Sequence, residues 1–262
     1  MSTIHITSLH FYQKKRESLL YKGMSDRGPV VIKCSLRKDP VIRRAFLDEY
    51  RVMRPLSHPG IPSYYAMVDH FNLPDRDGQA PALCMEDCSA SPLPQSDNQM
   101  VHAKEYTGGP QPHLEDLSWP EVISVLDRIC DLLAWLLDHG VLYTDLNPSN
   151  IILRRLQAGQ DNADGSRIHV FLVDYTFCYF FLENPYPEYS LRFSYNLSPD
   201  LKGQQLLIQE MTLLLQDLAD QRADSLIPSA VCRLIEAGKN PPEHLSLPDY
   251  SSMIKETQKQ TS

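Results

Sequence analysis

The stretch His139–Leu153, which reads HGVLYTDLNPSNIIL, carries the most informative pattern in the chain. Asp145, Pro148 and Asn150 stand in it with the spacing D-x-x-P-x-N, and the residues on both sides are largely apolar. One interpretation is a strand–turn–strand hairpin in which the Asp and Asn side chains cap turns, as these residue types often do. The other is a loop that presents a carboxylate and an amide oxygen for chemistry. The segments before and after the loop favour the second interpretation.

This loop resembles the catalytic loop of protein kinases, whose usual form is H-R-D-x-K-P-x-N. The resemblance implies that Asp145 accepts the proton of an incoming hydroxyl group and that the amide oxygen of Asn150 binds a phosphate-bound Mg²⁺ ion. Three residues depart from the family pattern. Tyr143 stands in place of the His, Thr144 in place of the Arg that reads a phosphorylated activation segment, and Asn147 in place of the Lys that contacts the γ-phosphate.

Length, charge and cysteine usage limit the class of protein. The chain has 262 residues, 42% of them hydrophobic, which is enough for one two-lobed domain or two small ones. A formal net charge of −8 argues against nucleic acid or an anionic membrane as the main partner, because both attract clustered Lys and Arg. Six cysteines without a C-x-x-C pair or a zinc-like spacing predict reduced, mostly buried thiols. With no apolar signal core and no long apolar run, we expect a cytoplasmic protein; delivery by a secretion system that needs no classical signal stays open.

The first segment, residues 4–12 and 19–22, predicts two strands joined by the loop 13–18, which reads QKKRES. In kinases this loop is rich in glycine, so that backbone N–H groups can approach the ATP phosphates. The loop here contains no Gly. By the resemblance, its basic side chains would neutralise phosphate in place of the backbone, and the alternative is an ordinary solvated hairpin tip. These basic residues are Lys14, Lys15 and Arg16.

A β-branched strand follows at Val30–Lys33, which reads VVIK and places one Lys at its end. The next segment, residues 43–56, has apolar residues at helical spacing and carries Glu49. The strand is similar to the kinase V-A-I-K strand, whose Lys holds the α- and β-phosphates and pairs with a Glu of the next helix. Glu49 precedes Pro59 of the HPGI turn by ten residues, as in kinases. We therefore expect Lys33 to bind phosphate and to form an ion pair with Glu49.

Residues 61–71 and 81–86 predict two further strands separated by a polar loop. By the kinase resemblance, Met85 lies behind the nucleotide base as the gatekeeper residue. Glu86 to Cys88 then form the hinge, whose backbone C=O and N–H groups meet the adenine edge.

The helix that precedes the loop is predicted from Trp119, with Ser118 as its N-cap and Pro120 in its first turn. Apolar residues recur along one face of this helix, which is typical of a core helix. His139 is interpreted as a packed residue at the helix end and not as a catalytic one.

After the loop, residues 151–155 and 168–173 predict a hairpin, and the letters VDYT at its end look like the D-F-G motif with Tyr and Thr in place of Phe and Gly. The resemblance makes Asp174 the main Mg²⁺ ligand, since a hard cation on phosphates prefers carboxylate oxygen. Residues 177–197 correspond to the activation segment, whose many aromatic residues predict that it packs down. Residues 198–200, SPD, correspond to the closing A-P-E motif.

The chain beyond this point is short for a kinase. Residues 206–218 and 228–237 predict two helices, followed by the short end PPEHLSLPDYSSMIKE. Protein kinases usually have far more chain here for helices that dock the substrate. The resemblance therefore implies a trimmed C-lobe and an unusual way of holding the substrate.

The resemblance covers roughly residues 4–240 and implies an α+β, two-lobed protein kinase-like fold. A small N-lobe, with an antiparallel sheet, one helix and the hinge, is expected over residues 1–88. A mobile insertion rich in Ser and Pro is expected over residues 89–113, because it has too few aliphatic residues to order itself. A shortened, mainly helical C-lobe is expected over residues 114–262.

The function implied is ATP- and Mg²⁺-dependent phosphotransfer to a Ser or Thr hydroxyl of a protein, by a minimal and divergent kinase domain like some in bacteria. Loss of the cation at Asn147 predicts a rate about 10²- to 10³-fold lower. One alternative is a pseudokinase scaffold, which the missing glycines and altered motifs favour. Another is a small-molecule kinase of the aminoglycoside-phosphotransferase type. A protein substrate or a regulatory protein is the expected partner, and the sequence does not indicate an oligomeric state.

Overall fold

The computed structural model describes residues 4–15, 18–36, 40–90, 112–155, 168–176, 178–180, 203–222, 226–242 and 244–261. The chain divides into two compact units, an N-terminal unit over residues 1–110 and a C-terminal unit over residues 111–262. The boundary between them falls inside the segment 89–113 that the sequence predicts to be an insertion. Most of that segment, and most of the predicted activation segment, lies outside the described residues.

The N-terminal unit is built on a five-stranded antiparallel sheet with the strand order β1-β2-β3-β5-β4. A single helix, α1, joins β3 to β4. The elements are β1 (Ile6–Lys14), β2 (Ser18–Ser25), β3 (Gly28–Ser35), α1 (Pro40–Met53), β4 (Tyr64–Asn72) and β5 (Gln79–Glu86).

One face of this sheet carries a hydrophobic core made by alternate residues of β2, β3 and β5, because successive side chains of a strand point to opposite faces. These core residues are Leu19, Tyr21, Val30, Ile32, Cys34, Ala80, Ala82 and Cys84. The strand register places the intervening residues on the opposite face. Leu20, Lys33 and Leu83 are neighbours across the three strands there, and Val31 and Met85 form the next pair along.

Helix α1 buries one side of its surface. Phe46, Glu49 and Met53 are all buried, and their spacing of three and four residues puts them on one face. The helix contacts β4 and β5. Glu49 is therefore held inside the unit and not on a solvated face.

The C-terminal unit contains four helices and two short pairs of strands among its described residues. Strand β6 pairs with β9 and strand β7 with β8, both antiparallel. The elements are α2 (Trp119–Asp138), β6 (Val141–Leu142), a 3₁₀ turn (Pro148–Asn150), β7 (Ile151–Arg155), β8 (Ile168–Leu172), β9 (Tyr179–Phe180), α3 (Gly203–Gln221), α4 (Ser229–Lys239) and α5 (Leu247–Thr261). Because β6 does not pair with β7, the stretch around Asp145 is not a strand–turn–strand hairpin.

Helix α2 begins and ends as the sequence predicts. At its start the backbone N–H and the hydroxyl of Ser118 both donate to the Glu121 carboxylate, at 2.9 and 2.8 Å, and Pro120 occupies the first turn. At its end His139 is the C-cap and stacks on the Trp135 ring, with ring centroids 3.8 Å apart. His139 is exposed, so it is less packed than predicted.

Helix α5 lies in the short chain end, where the sequence analysis predicted no helix. It buries Leu247, Tyr250 and Ile254 at helical spacing and packs against α2. The backbone N–H and hydroxyl of Ser246 donate to the Asp249 carboxylate, at 3.1 and 2.5 Å, and the Asp249 N–H donates back to the Ser246 hydroxyl, at 3.2 Å. This S-x-x-D capping box was readable in the sequence, and the prediction missed it.

Two general expectations can be compared with the described residues. All six cysteines are free, and five of them are buried while Cys232 is exposed. In the described part of the chain, no helix combines the length and the apolar composition needed to cross a membrane.

We predict that Gly238→Ala destabilises the C-terminal unit by roughly 1–3 kcal/mol, because it overpacks the contact of α4 with α3 and α5. A Cβ atom at Gly238 would lie 1.9 Å from Thr212 Oγ1 and 3.0 Å from the Tyr250 hydroxyl. Urea unfolding followed by circular dichroism measures the change. Gly203→Ala is the matched control, since a Cβ there meets only ordinary contacts at 3.5 and 3.6 Å. Equal stability of the two variants would contradict the prediction.

Candidate functional site

Lys33 and Glu49 form the ion pair that the sequence predicts. Lys33 Nζ lies 3.6 Å from Glu49 Oε2, and the side chains are 7% and 0% exposed. The Tyr64 hydroxyl donates to Glu49 Oε1 at 2.6 Å, and the ammonium lies 5.3 Å from the centroid of the Phe46 ring. A buried charge pair is tolerated only when its partners are well placed, and here a hydroxyl and an aromatic face support it. The Lys33 ammonium is thereby held on the sheet face opposite the hydrophobic core.

The predicted hinge is partly engaged within the N-terminal unit. The Glu86 N–H donates to Ser63 O at 2.9 Å, and the Glu86 carboxylate accepts from the Ser63 N–H and hydroxyl at 3.2 and 3.1 Å. Met85 and Cys88 are buried, and Met85 pairs with Val31 across the two strands. Because the Glu86 N–H is already bonded to Ser63, this N–H does not fit the predicted contact with an adenine edge.

A polar cluster that the sequence did not indicate lies beside the predicted hinge. Lys22 Nζ lies 3.1 Å from Asp87 Oδ2 and donates to the Ser89 hydroxyl. Asp87 Oδ1 accepts from the Ser89 N–H at 3.0 Å and from its hydroxyl at 2.5 Å. The register pairs Lys22 with Val31, which puts it on the same sheet face as Lys33. The pairing of β2 with β3 brings Lys22 close to the predicted hinge.

The basic loop between β1 and β2 is shorter than predicted. The Lys15 N–H donates to Ser18 O at 2.8 Å and closes a tight turn. Lys14 belongs to β1 and pairs with Leu19, so the strands extend further into the predicted loop. Lys14 is exposed and Lys15 half-buried, and Arg16 lies outside the described residues.

In the C-terminal unit, two tyrosines at which the sequence departs from the kinase pattern, Tyr143 and Tyr175, pack against each other. The Tyr143 and Tyr175 rings meet edge to face, with centroids 5.1 Å apart, and both residues are fully buried. The Tyr143 hydroxyl donates to Val173 O at 2.7 Å, and the Tyr175 hydroxyl donates to Leu172 O at 3.1 Å. Burial raises the pKa of Tyr143 well above its usual value. The two departures therefore form one packed contact that ties the loop to the end of β8.

Asp145 is held by the amides of two asparagines. Asn150 Nδ2 donates to Asp145 Oδ2 at 2.7 Å and to its backbone oxygen at 3.1 Å. Asn147 Nδ2 donates to Asp145 Oδ1 at 3.0 Å. Because the nitrogen of Asn150 faces Asp145, its amide oxygen is directed away from the carboxylate. This is the orientation that the predicted metal ligand needs.

Asp174 has a left-handed backbone with φ of 68°, and it is the only non-Gly residue with positive φ in the described part of the chain. This conformation costs an L-residue of order 1 kcal/mol and is tolerated best by Asp and Asn. The neighbouring Val173 N–H donates to Asn150 O at 3.0 Å. That bond joins the backbone beside Asp174 to Asn150, the other predicted metal ligand.

The donor set suits a cation that is bound together with phosphates. Asn150 and Asp174 offer an amide and a carboxylate oxygen, which are hard ligands of the kind Mg²⁺ prefers. Among the described residues, no group of three or more His, Cys, Asp and Glu is placed to hold a metal ion. The described residues therefore fit Mg²⁺ only where the nucleotide phosphates complete its coordination.

Glu210 is a buried residue at the site that the sequence analysis missed. It is 2% exposed on α3, and the backbone N–H of Leu146, directly after Asp145, lies close to its carboxyl. Its Oε1 atom is buried and makes no hydrogen bond. Burial, with a further contribution from the nearby Asp145 charge, raises the pKa of Glu210 to about 8. A lone Glu inside the apolar run LLIQEMTLLL was the available sequence signal.

Each unit thus brings together part of the predicted site. The N-terminal unit pairs Lys33 with Glu49, and the C-terminal unit clusters Asp145 with Asn150 and links Asn150 to the backbone beside Asp174. No protein-family model matches the chain, and no curated protein matches it in sequence. The argument for a function therefore depends on this geometry and on the motifs.

We predict that Glu210→Gln flattens the pH dependence of stability. The pKa of Glu210 is about 8 in the folded protein and 4.5 ordinarily, so between these values the folded state holds a proton that the unfolded state has lost. Wild-type stability should fall by up to about 1.4 kcal/mol per pH unit across this range and level off above it. Gln cannot ionise, so the stability of the variant should increase relative to that of wild type as pH rises from 5 to 8.

Urea unfolding at several pH values measures the effect. Glu256→Gln, which removes an exposed carboxylate on α5, is the control and should leave the wild-type profile unchanged. Parallel profiles for wild type and Glu210→Gln would show that Glu210 is not protonated in the folded protein.

Proposed function

We propose that the chain is an ATP- and Mg²⁺-dependent phosphotransferase with a two-lobed protein kinase-like fold, acting on a hydroxyl group of a protein. The observation that carries this proposal is the arrangement in the C-terminal unit. There the Asn150 amide nitrogen donates to the Asp145 carboxylate at 2.7 Å, and the N–H of Val173, the residue before Asp174, donates to Asn150 O at 3.0 Å. A hairpin end with two turn caps would not require Asp174 to adopt a left-handed backbone.

The residues of the N-terminal unit are assigned to the nucleotide phosphates. Lys33 neutralises the α- and β-phosphates, and Glu49 with the Tyr64 hydroxyl holds the ammonium in place. Met85 and the carbonyl of Glu86 are assigned to the base. The buried Lys33–Glu49 pair supports this role, because a strand lysine paired with a helix glutamate is the arrangement that holds the α- and β-phosphates in protein kinases.

The residues of the C-terminal unit are assigned to the metal and to the proton. Asp174 and the Asn150 amide oxygen would hold Mg²⁺, which neutralises charge on the phosphate oxygens. Asp145 accepts the proton of the attacking hydroxyl. Glu210 lies near the Leu146 N–H, beside the backbone that presents Asp145.

A protein substrate fits this chain better than a small molecule. Helix α5 packs against α2, and Cys130 of α2 lies 3.8 Å from Leu247 O at the start of α5. The residues of α5 therefore belong to the core of the C-terminal unit. They do not form a separate helical element around a small substrate. Serine or threonine is the proposed acceptor.

A pseudokinase scaffold is the second candidate, and the absence of glycine from residues 13–18 favours it. Without glycine, a backbone approaches phosphates less closely. Incubation of the purified full chain with Mg·ATP, followed by phosphopeptide mass spectrometry, separates the candidates. Phosphorylation of the chain itself or of a generic protein substrate supports the enzyme. Nucleotide binding without transfer supports the scaffold.

We predict that Asp174→Asn and Asp145→Asn have different effects. Asp174→Asn removes a metal carboxylate and should weaken Mg·ATP binding about tenfold or more. Asp145→Asn should leave binding within about twofold and reduce transfer by at least 10²-fold, the lower end for loss of a general base. Isothermal titration calorimetry and single-turnover kinetics measure the two quantities.

Asp131→Asn is the control for these variants, because Asp131 is exposed on α2 away from the assigned residues. Equal losses of Mg·ATP affinity in the Asp174 and Asp145 variants would contradict the division of roles.

We predict that ATP affinity falls as salt rises and that the triple change Lys14→Ala, Lys15→Ala and Arg16→Ala flattens this dependence. Basic side chains that reach phosphate only through solvent are screened by salt, with a Debye length of about 8 Å at physiological ionic strength. Affinity measured between low and high salt tests this. The control replaces Arg233, Lys255 and Lys259 by Ala. These residues lie on α4 and α5, so the control removes three positive charges elsewhere in the chain. If both triple variants keep the wild-type salt slope, the turn does not act on the phosphates.

A further inference from the structure

Asn147 stands where protein kinases carry a lysine, and its side chain contacts the proposed catalytic carboxylate. The residue is half-buried and begins the 3₁₀ turn Pro148–Asn150. Its amide nitrogen lies 3.0 Å from Asp145 Oδ1 and 3.1 Å from Asp145 O. The position is therefore occupied by a hydrogen-bond donor directed at Asp145.

The orientation of the Asn147 amide is determined by its other end. The oxygen accepts from the Ser149 N–H at 3.0 Å and from the Ser149 hydroxyl at 2.6 Å. A backbone N–H can only donate, so the oxygen must face Ser149 and the nitrogen must face Asp145. The turn that follows the loop thus sets the direction of the donor.

Asn150 completes the arrangement from the other side. Its nitrogen donates to Asp145 Oδ2 at 2.7 Å, so each carboxylate oxygen accepts from a different asparagine. Two donors on two oxygens fix the rotation of the carboxylate plane, which one donor leaves free.

We propose that Asn147 is a positioning residue that holds the Asp145 carboxylate in the direction of an incoming hydroxyl group. This inference rests on the proposed phosphotransfer. In that reaction the substrate oxygen bonds to the γ-phosphorus of ATP, its proton passes to Asp145, and the bond to ADP breaks with its electron pair on ADP. A small displacement of the Asp145 carboxylate, which accepts the proton, slows such a step strongly even when nucleotide binding is unchanged. The family lysine is thus replaced by an amide that acts on the carboxylate.

Two variants separate this role from a simple turn cap. Asn147→Asp keeps an oxygen for the Ser149 N–H but replaces the donor facing Asp145 with a second oxygen. Asn147→Ser also keeps an acceptor for the Ser149 N–H and removes the donor without adding charge. We expect kcat to fall about 10- to 100-fold in both, with KM for ATP and the thermal midpoint close to wild type. Ser149→Ala, which keeps the Asn147 amide and the Ser149 N–H, should retain kcat within about threefold.

A readout independent of catalysis distinguishes failure of this inference from failure of the proposed function. In ¹⁵N-labelled protein, the side-chain amide resonances of Asn147, assigned by their loss in Asn147→Ser, should shift in Asp145→Ala. If wild type transfers no phosphate but these resonances shift, the proposed function fails and the contact stands. Unchanged resonances in Asp145→Ala, or wild-type kcat in both Asn147 variants of an active enzyme, would overturn the inference.

Discussion

The Glu210 carboxyl lies near the Leu146 N–H, and this proximity joins the loop around Asp145 to the core of the C-terminal unit. A loop of this kind has few backbone hydrogen bonds of its own, so its geometry depends on groups outside it. Glu210 is 2% exposed and surrounded by apolar residues of α3. Its burial keeps it protonated at neutral pH, because an ionised carboxylate there would lie unpaired and close to Asp145. The loop is therefore anchored without a second negative charge beside the proposed base.

The altered motifs form contacts of their own and are not simple losses. Tyr143 and Tyr175 are two of the residues at which the sequence departs from the kinase pattern. Their rings meet edge to face, and each hydroxyl donates to a backbone carbonyl of the segment 172–173. Asn147 bonds Asp145 and Ser149 at its two ends. These contacts hold the altered residues in place through ring packing and hydrogen bonds.

Two ion pairs of the N-terminal unit lie largely inside it, although other pairs, such as Arg43–Asp69, lie at its surface. Lys33 with Glu49, and Lys22 with Asp87, are both largely withdrawn from solvent on one sheet face. Burying such pairs gives little net stability, since desolvation offsets the attraction between the charges. Their presence on one face, opposite a fully apolar core, supports a binding role for that face. The Lys22 cluster also makes this face more polar than the sequence suggests.

Local sequence determined the elements whose signals are short in range. The β-branched run at Val30–Lys33, the capping box of α2 and the helical spacing around Phe46 predicted their elements correctly, because each depends on neighbours within a few residues. The order of Lys33, Glu49, Asp145, Asn150 and Asp174 was also readable. Helix α5 was missed although its capping box was present, because its apolar residues are sparse.

Only the tertiary structure decided how these residues are arranged. The pairing of β2 with β3 and of β3 with β5 brought Lys22 to the hinge, and no local signal encodes a register between distant strands. The contact of Glu210 with Leu146 joins residues more than sixty positions apart in the chain. The sequence pattern marked Asn147 as the loss of a cation, whereas the fold of the turn directs its amide at Asp145. Composition and spacing specify which groups are available, and long-range packing determines which of them meet.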